Sequence, residues 1–207
     1  MTVSNDKEIL RVYVPGREFV IPYIARELED YVVEPAVSAS DADVLILNPG
    51  EDAPARESSS EKKTLTLFCP NIVGTGMTGL PMEIVKRIAR GNYYHLGGNE
   101  ARLSTVHASD VAKAVRIAMG HGGSYTVTDG DNPTFYDFAE ALAFRLNHKR
   151  ILTLNSKWVK WIINPNLKRT ITTDAVVDGS EFAEKFGFVS TPVTTYLRTH
   201  VYDEESL

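Results

Sequence analysis

Hydrophobic positions change their period several times along the chain, and each change marks an element. Residues 9–14 (Ile-Leu-Arg-Val-Tyr-Val) are β-branched and aromatic and stop at Pro15-Gly16, which predicts a strand closed by a turn. Over residues 18–30 the apolar Phe19, Val20, Tyr23, Ile24 and Leu28 return at helical spacing. Residues 31–33 read as a short strand. Residues 43–47 (Asp-Val-Leu-Ile-Leu) form a nearly unbroken apolar run closed by Asn48-Pro49-Gly50, which fits a strand covered on both faces. Residues 51–63 are small and polar without periodicity and predict a surface loop. The alternation of residues 64–68 gives another strand.

The second half continues in the same manner. Residues 81–90 are amphipathic, and Gly91 just beyond them predicts a helix C-terminus. A short strand is centred on Val106, and Asp110 stands before Val-Ala-Lys-Ala-Val as an expected N-cap. Residues 125–127 predict a strand, and residues 134–147 a helix opened by Thr134 and Asp137. Residues 156–163 (Ser-Lys-Trp-Val-Lys-Trp-Ile-Ile) are amphipathic, and residues 180–187 and 192–201 predict two short helices. Strands alternating with helices describe an α/β sheet.

Composition adds boundaries to this picture. At 207 residues, with 43% hydrophobic and 24% charged, the chain suits one core-forming domain or one domain with an appended lobe. The single cysteine, Cys69, excludes an internal disulfide and a multi-cysteine metal site. A formal charge of -5 provides no general attraction to nucleic acid or anionic membrane. The first ten residues carry acidic groups and no apolar core segment, and they do not read as a signal peptide. No apolar run approaches the roughly 20 residues that span a bilayer, and the simplest expected location is the cytoplasm.

Three segments carry a resemblance to a known family. Residues 67–76 (Leu-Phe-Cys-Pro-Asn-Ile-Val-Gly-Thr-Gly) are similar to L-R-P-x-N-V-Y-G-P-G. Residues 105–112 (Thr-Val-His-Ala-Ser-Asp-Val-Ala) are similar to F-V-H-V-x-D-V-A. Residues 123–142 are similar to G-x-x-Y-N-V followed by a polar turn and L-A-E-A-L. In this order and at these separations they resemble the extended short-chain dehydrogenases/reductases, the NAD-dependent nucleotide-sugar epimerases and dehydratases. The resemblance implies a Rossmann-like, mostly parallel sheet with a small C-terminal α/β lobe. Here the sheet is expected to be reduced in strand number. Residues 1–207 would form a single domain, with residues of about 75–105 and 123–207 building the lobe.

The family's length exceeds this chain's by about half, and the shortfall has definite places. Between Leu47 and Thr64 the family carries a helix, a strand and a long helix, where this chain has sixteen mostly polar residues. A further helix and strand are lost between Val33 and Asp43. An excision of this kind is expected to leave an unpaired or loop-covered sheet edge. It also removes the two helices of the family's four-helix-bundle dimer, which is therefore not expected.

The dinucleotide fingerprint needs glycines for a tight turn, for close approach to the pyrophosphate and for helix–strand packing. Aligned on the family's pattern, Pro15, Glu18 and Ile21 stand at those three positions, leaving Gly16 as the remnant cofactor-binding candidate. Pro15 removes an N–H. Glu18 either places a carboxylate where phosphate would sit or caps the helix dipole, and both leave the helix end satisfied. Glu34 falls near the family's ribose-binding acid. The family's chemistry needs a tyrosine with a lysine four residues on, and the sequence holds no Tyr-x-x-x-Lys, so no catalytic residue is assigned.

Substrate-binding candidates carried over from the resemblance are Asn71, Arg102 and His107. Each has a plainer alternative: a turn residue after Pro70, a strand residue one place out of register, and a packed or edge histidine. Cys69 reads as core rather than nucleophile. The leading expectation is a degenerate, non-redox homologue, or pseudoenzyme, that needs no cofactor and binds a sugar-like small molecule or a protein partner. The alternative is an active NAD(P)-dependent epimerase, dehydratase or reductase acting on a nucleotide sugar or a related small carbonyl compound.

Overall fold

The structure, a computed structural model, describes residues 7–52, 63–147, 151–154 and 165–199, with side chains from residue 168 in the last segment. The predicted surface loop, apart from its ends, and the amphipathic tryptophan segment lie outside the described residues.

Strand β1 (Glu8–Tyr13) runs to the Pro15-Gly16 turn, where Gly16 takes φ +68°. That is the left-handed conformation a glycine adopts without strain. One 3-10 turn (Glu18–Val20) leads into α1 (Ile21–Glu27), shorter than the periodicity predicted because Leu28 breaks from helical geometry. β2 (Tyr31–Pro35) follows, then β3 (Val44–Leu47), whose four residues are all buried as its apolar run demands. Next come β4 (Leu65–Phe68), the two-residue β5 (Ile72–Val73) and α2 (Gly79–Ala89). β6 (Tyr94–Leu96) and β7 (Val106–His107) precede α3 (Ala108–Ala118), β8 (Gly123–Thr126) and α4 (Phe135–Arg145). The described chain closes with β9 (Leu152–Leu154), α5 (Pro165–Ile171), α6 (Ser180–Phe186) and α7 (Val193–Thr199).

Five parallel strands form the main sheet in the order β2-β1-β3-β4-β8. The chain first steps from β1 outward to β2 and then crosses to β3 on the other side of β1. The crevice between the C-terminal ends of β1 and β3 is therefore the topological switch point, where open α/β sheets bind ligands. Two parallel two-stranded ladders, β5–β7 and β6–β9, stand apart from the main sheet.

The expected edge at the excision does not exist. β3 and β4 pair directly from Val44↔Leu65 to Leu47↔Phe68, and backbone hydrogen bonds extend the ladder at both ends. Two strands that flanked a parallel strand share its direction and pleat, so they can pair once it is gone. The sixteen residues between Leu47 and Thr64 exceed the dozen or so that a parallel crossover requires. The edges are β2 and β8 instead.

One face of the sheet carries α1 and α3. Leu10, Val12, Val44, Ile46, Leu65 and Leu67 bury there against Ile24, Leu28, Val111 and Val115. On the other face the return from β2 to β3 forms a strap. Ala36, Ala39 and Ala42 cluster there with Tyr13, Leu45, Leu47 and Phe68. A second core joins α2, α4 and α7 around Ile84, Phe135, Phe138, Leu142 and Leu197, and Phe19 packs against both cores.

Helix ends follow the sequence signals with one correction. Thr134 caps α4, accepting from the Asp137 N–H at 3.1 Å, and Gly91 follows α2 at φ +68°. Asp110 is not the cap of α3. His107 is: its Nδ1 accepts from the Ser109 N–H, and Asp110 lies in the first turn, taking Lys113 Nζ at 2.7 Å and the Thr191 N–H at 3.2 Å. A buried ring nitrogen can accept from a free helical N–H as a hydroxyl does.

Candidate functional site

At the switch point a pocket of about 280 Å³ is lined by Gly16, Arg17, Asn48, Asn71 and Thr78, with Leu80 and Pro81 from the start of α2. Gly16 and Asn71, two of the sequence-predicted residues, meet here. Arg102 and His107 do not line it.

Arg17 dominates the crevice. It is only 8% exposed, and its guanidinium donates to Cys69 O at 2.9 Å and to Ile46 O at 3.1 Å. These carbonyls lie at the ends of β3 and β4, and the arginine supplies their donors. Its Nε is buried without a partner among the described residues, and burial holds the guanidinium below its usual pKa, against a smaller opposite pull from Cys69 and Glu51. In the turn that follows β3, Glu51 accepts from the Asn48 N–H and Nδ2, both at 2.7 Å. The Asn48 side chain, ahead of the more distant Arg17, lowers the Glu51 pKa.

The turn itself is closed on its own groups. Glu18 Oε1 accepts from the Gly16 N–H at 3.0 Å, and Thr78 Oγ1 donates to Gly16 O at 2.9 Å. The N–H groups of Arg17, Val20 and Ile21 are bonded to Val14 O, Arg17 O and Glu18 O, and Pro22 has none. A dinucleotide pyrophosphate needs unengaged amides and no anion at this point. A carboxylate already holds the glycine amide, so this turn does not fit the group.

The remaining sequence candidates have structural partners. Arg102 donates through its backbone N–H to Asp174 Oδ1 at 2.8 Å and through Nη1 to Asn132 O at 3.0 Å, tying loops together. His107 is 1% exposed and lies between Tyr23 and Tyr196. Asn71 sits at φ +29° and donates from Nδ2 to Ser104 O at 2.9 Å. Burial pushes the Cys69 thiol up to about 12, with a smaller downward pull from Arg17. A maleimide at neutral pH should therefore leave Cys69 unmodified in the native protein and label it only after unfolding. Rapid native-state labelling would show that the crevice opens.

A tyrosine–lysine contact does exist, between residues too far apart along the chain to form a local motif. Lys185 Nζ donates to Tyr125 Oη at 2.6 Å, joining α6 to β8. β3 and β4 separate it from β1, so it has no access to the switch point. Arg17 and Glu51 were equally hidden: an arginine between a strand and a helix reads as surface. Among the described residues no cluster of histidine, cysteine, aspartate or glutamate could hold a metal ion.

The sheet order and crossovers define a Rossmann-like α/β fold. The chain has the fold of the extended short-chain dehydrogenases/reductases, the NAD-dependent epimerases and dehydratases. UDP-N-acetylglucosamine 4-epimerase from Bacillus cereus is similar at 13% identity and a TM-score of 0.57, over 91% of this chain and 97% of that one. RMD from Pseudomonas aeruginosa, complexed with NADPH, is similar at 13% identity and a TM-score of 0.59, over 95% and 100%. MoeE5, in complex with UDP-glucose and NAD, reaches a TM-score of 0.61 at 9% identity, over 93% and 97%. No family model and no curated protein matches the sequence. At such identities the likeness is one of fold.

Proposed function

We propose that this chain is a non-redox relative of the NAD-dependent epimerases and dehydratases, keeping their scaffold as a binding protein for a sugar-like small molecule or a protein partner. The observation that carries this reading is the self-closed turn, in which Glu18 accepts from the Gly16 N–H while Arg17 behind it is bonded to Cys69 O and Ile46 O. A phosphate placed beside Glu18 would meet like-charge repulsion on the order of 1–4 kcal/mol, depending on local dielectric. The absence of Tyr-x-x-x-Lys supports the same reading independently, since it removes the proton-transfer partner rather than the cofactor.

Calorimetric titration with NAD+, NADH, NADP+ and NADPH, and with UDP- and dTDP-sugars, tests it. No heat from any dinucleotide is expected at millimolar concentration, and micromolar binding of one would sink the proposal. The alternative, an NAD(P)-dependent enzyme acting on a nucleotide sugar or related carbonyl compound, draws on the similarity to RMD, which holds NADPH, and to MoeE5, which holds UDP-glucose and NAD. The same titration, followed by a turnover assay, decides between them.

A further inference from the structure

A second hollow, of about 400 Å³, lies between α1, the loop after β5 and α7. It is lined by Phe19, Pro22, Tyr23, Arg26, Thr75 and Tyr196 and shares no residue with the switch-point pocket. Its walls are mostly aromatic rings, and its one charged lining group is a guanidinium. We propose that this hollow binds a small anionic ring compound, whose flat apolar face lies on the rings of Phe19, Tyr23 and Tyr196 while its carboxylate or phosphate meets Arg26.

The rings are held in place before any ligand arrives. Tyr23 Oη accepts from the Thr75 N–H at 2.8 Å. A Cβ on Gly74 would lie 3.0 Å from both Tyr23 Oη and Ala108 Cβ, so a larger residue would crowd the phenol that the loop clasps. Tyr23 meets the edge of His107 at 5.9 Å, and Tyr196 stacks on His107 with centroids 3.6 Å apart. His107 is itself fixed as the cap of α3. A wall that needs no reordering loses little conformational entropy on binding. Aromatic faces offer a large contact area with few rotatable bonds.

The charge balance favours an anion. Arg26 is exposed and forms no ion pair among the described residues. The carboxylates on adjoining turns are already engaged: Glu27 with Arg116 at 3.2 Å, and Asp110 with Lys113 at 2.7 Å. Burial, first among several influences, raises the Tyr196 pKa, which keeps this ring neutral beside an anion. Bidentate guanidinium contacts suit both carboxylate and phosphate. The volume falls within the range of small-ligand pockets, roughly 300–1,000 Å³.

Ligand-observed NMR and calorimetry on the full chain test the proposal, with glucuronate and glucose 6-phosphate in one arm and benzoate and phenyl phosphate in the other. Glucose and inorganic phosphate supply the ring and the charge separately. At least one charged ring should bind more tightly than about 1 mM, and the arm in which it falls identifies a sugar or an aromatic source. Arg26→Ala should weaken that binding by about tenfold or more, the loss of one charge-assisted contact. Arg26→Lys should restore part of it, and Tyr196→Leu should weaken it similarly. Arg26 is exposed, and an unchanged thermal transition of Arg26→Ala would confirm that the variant folds. No binding by any charged ring, inorganic phosphate binding as tightly as the rings, or full affinity in Arg26→Ala would each overturn it. None of these outcomes depends on dinucleotide binding at the switch point, so the two proposals fail separately.

Discussion

Arg17→Ala will lower the stability of this chain by about 2–4 kcal/mol in chemical denaturation. The substitution leaves Ile46 O and Cys69 O without their donors, at about 1–3 kcal/mol for each buried group left unmade. The loss of a buried charge whose Nε has no partner offsets part of that cost. In a domain of this size the change corresponds to a fall in Tm of about 4–16 °C. The vacated space alone will not admit a dinucleotide, because Glu18 still holds the Gly16 N–H. Isothermal titration of the variant with NAD+ should stay silent. An unchanged stability would show that Arg17 is a solvated surface residue rather than the group that completes the ends of β3 and β4.

Phe138→Ala will have the larger effect, about 3–5 kcal/mol, because it removes a fully buried ring from the second core. The test is differential scanning calorimetry with the wild-type chain alongside. Phe19 packs against both cores, so a cavity beneath α4 should weaken the sheet as well. A single shifted transition is the expected trace. Two transitions, one of them unmoved, would show that the sheet and the second core unfold as separate units.

Much of this architecture was readable from residues 9–147, and the reasons are local. β1 is set by its β-branched run and the Pro15-Gly16 stop, β3 by four consecutive apolar residues, and α4 by Thr134 and Asp137 at cap spacing. The short elements β5, β6 and β9 were not legible. Two- and three-residue strands have no measurable period, and their pairing is set by distant partners such as Leu152–Leu154 on Tyr94–Leu96. The cap of α3 was misassigned because Asp110 is the stronger intrinsic cap. His107, set edge-on to Tyr23 and tilted against Tyr196, takes the helix end instead.

The site divides along the same line. Loss of the fingerprint glycines was visible at Pro15, Glu18 and Ile21, since backbone requirements are written in consecutive residues. The groups that line the crevice instead of glycines were invisible. Arg17 finds its acceptors 29 and 52 residues away. Lys185 finds Tyr125 across 60 residues. Only Gly16 and Asn71, among the carried-over candidates, were brought to one pocket.

The direct pairing of β3 with β4 bears on how such a chain can arise at all. In an antiparallel sheet, removing one inner strand brings together two strands that formerly ran the same way, and the ladder must change type. In a parallel sheet the neighbours of a lost strand meet in the geometry each already had, so a complete strand-plus-helix module can be dropped without redesigning what remains. Such a fold permits subtraction in whole modules. A protein built on it can shed the segment that performs chemistry while every surviving hydrogen-bond ladder stays intact.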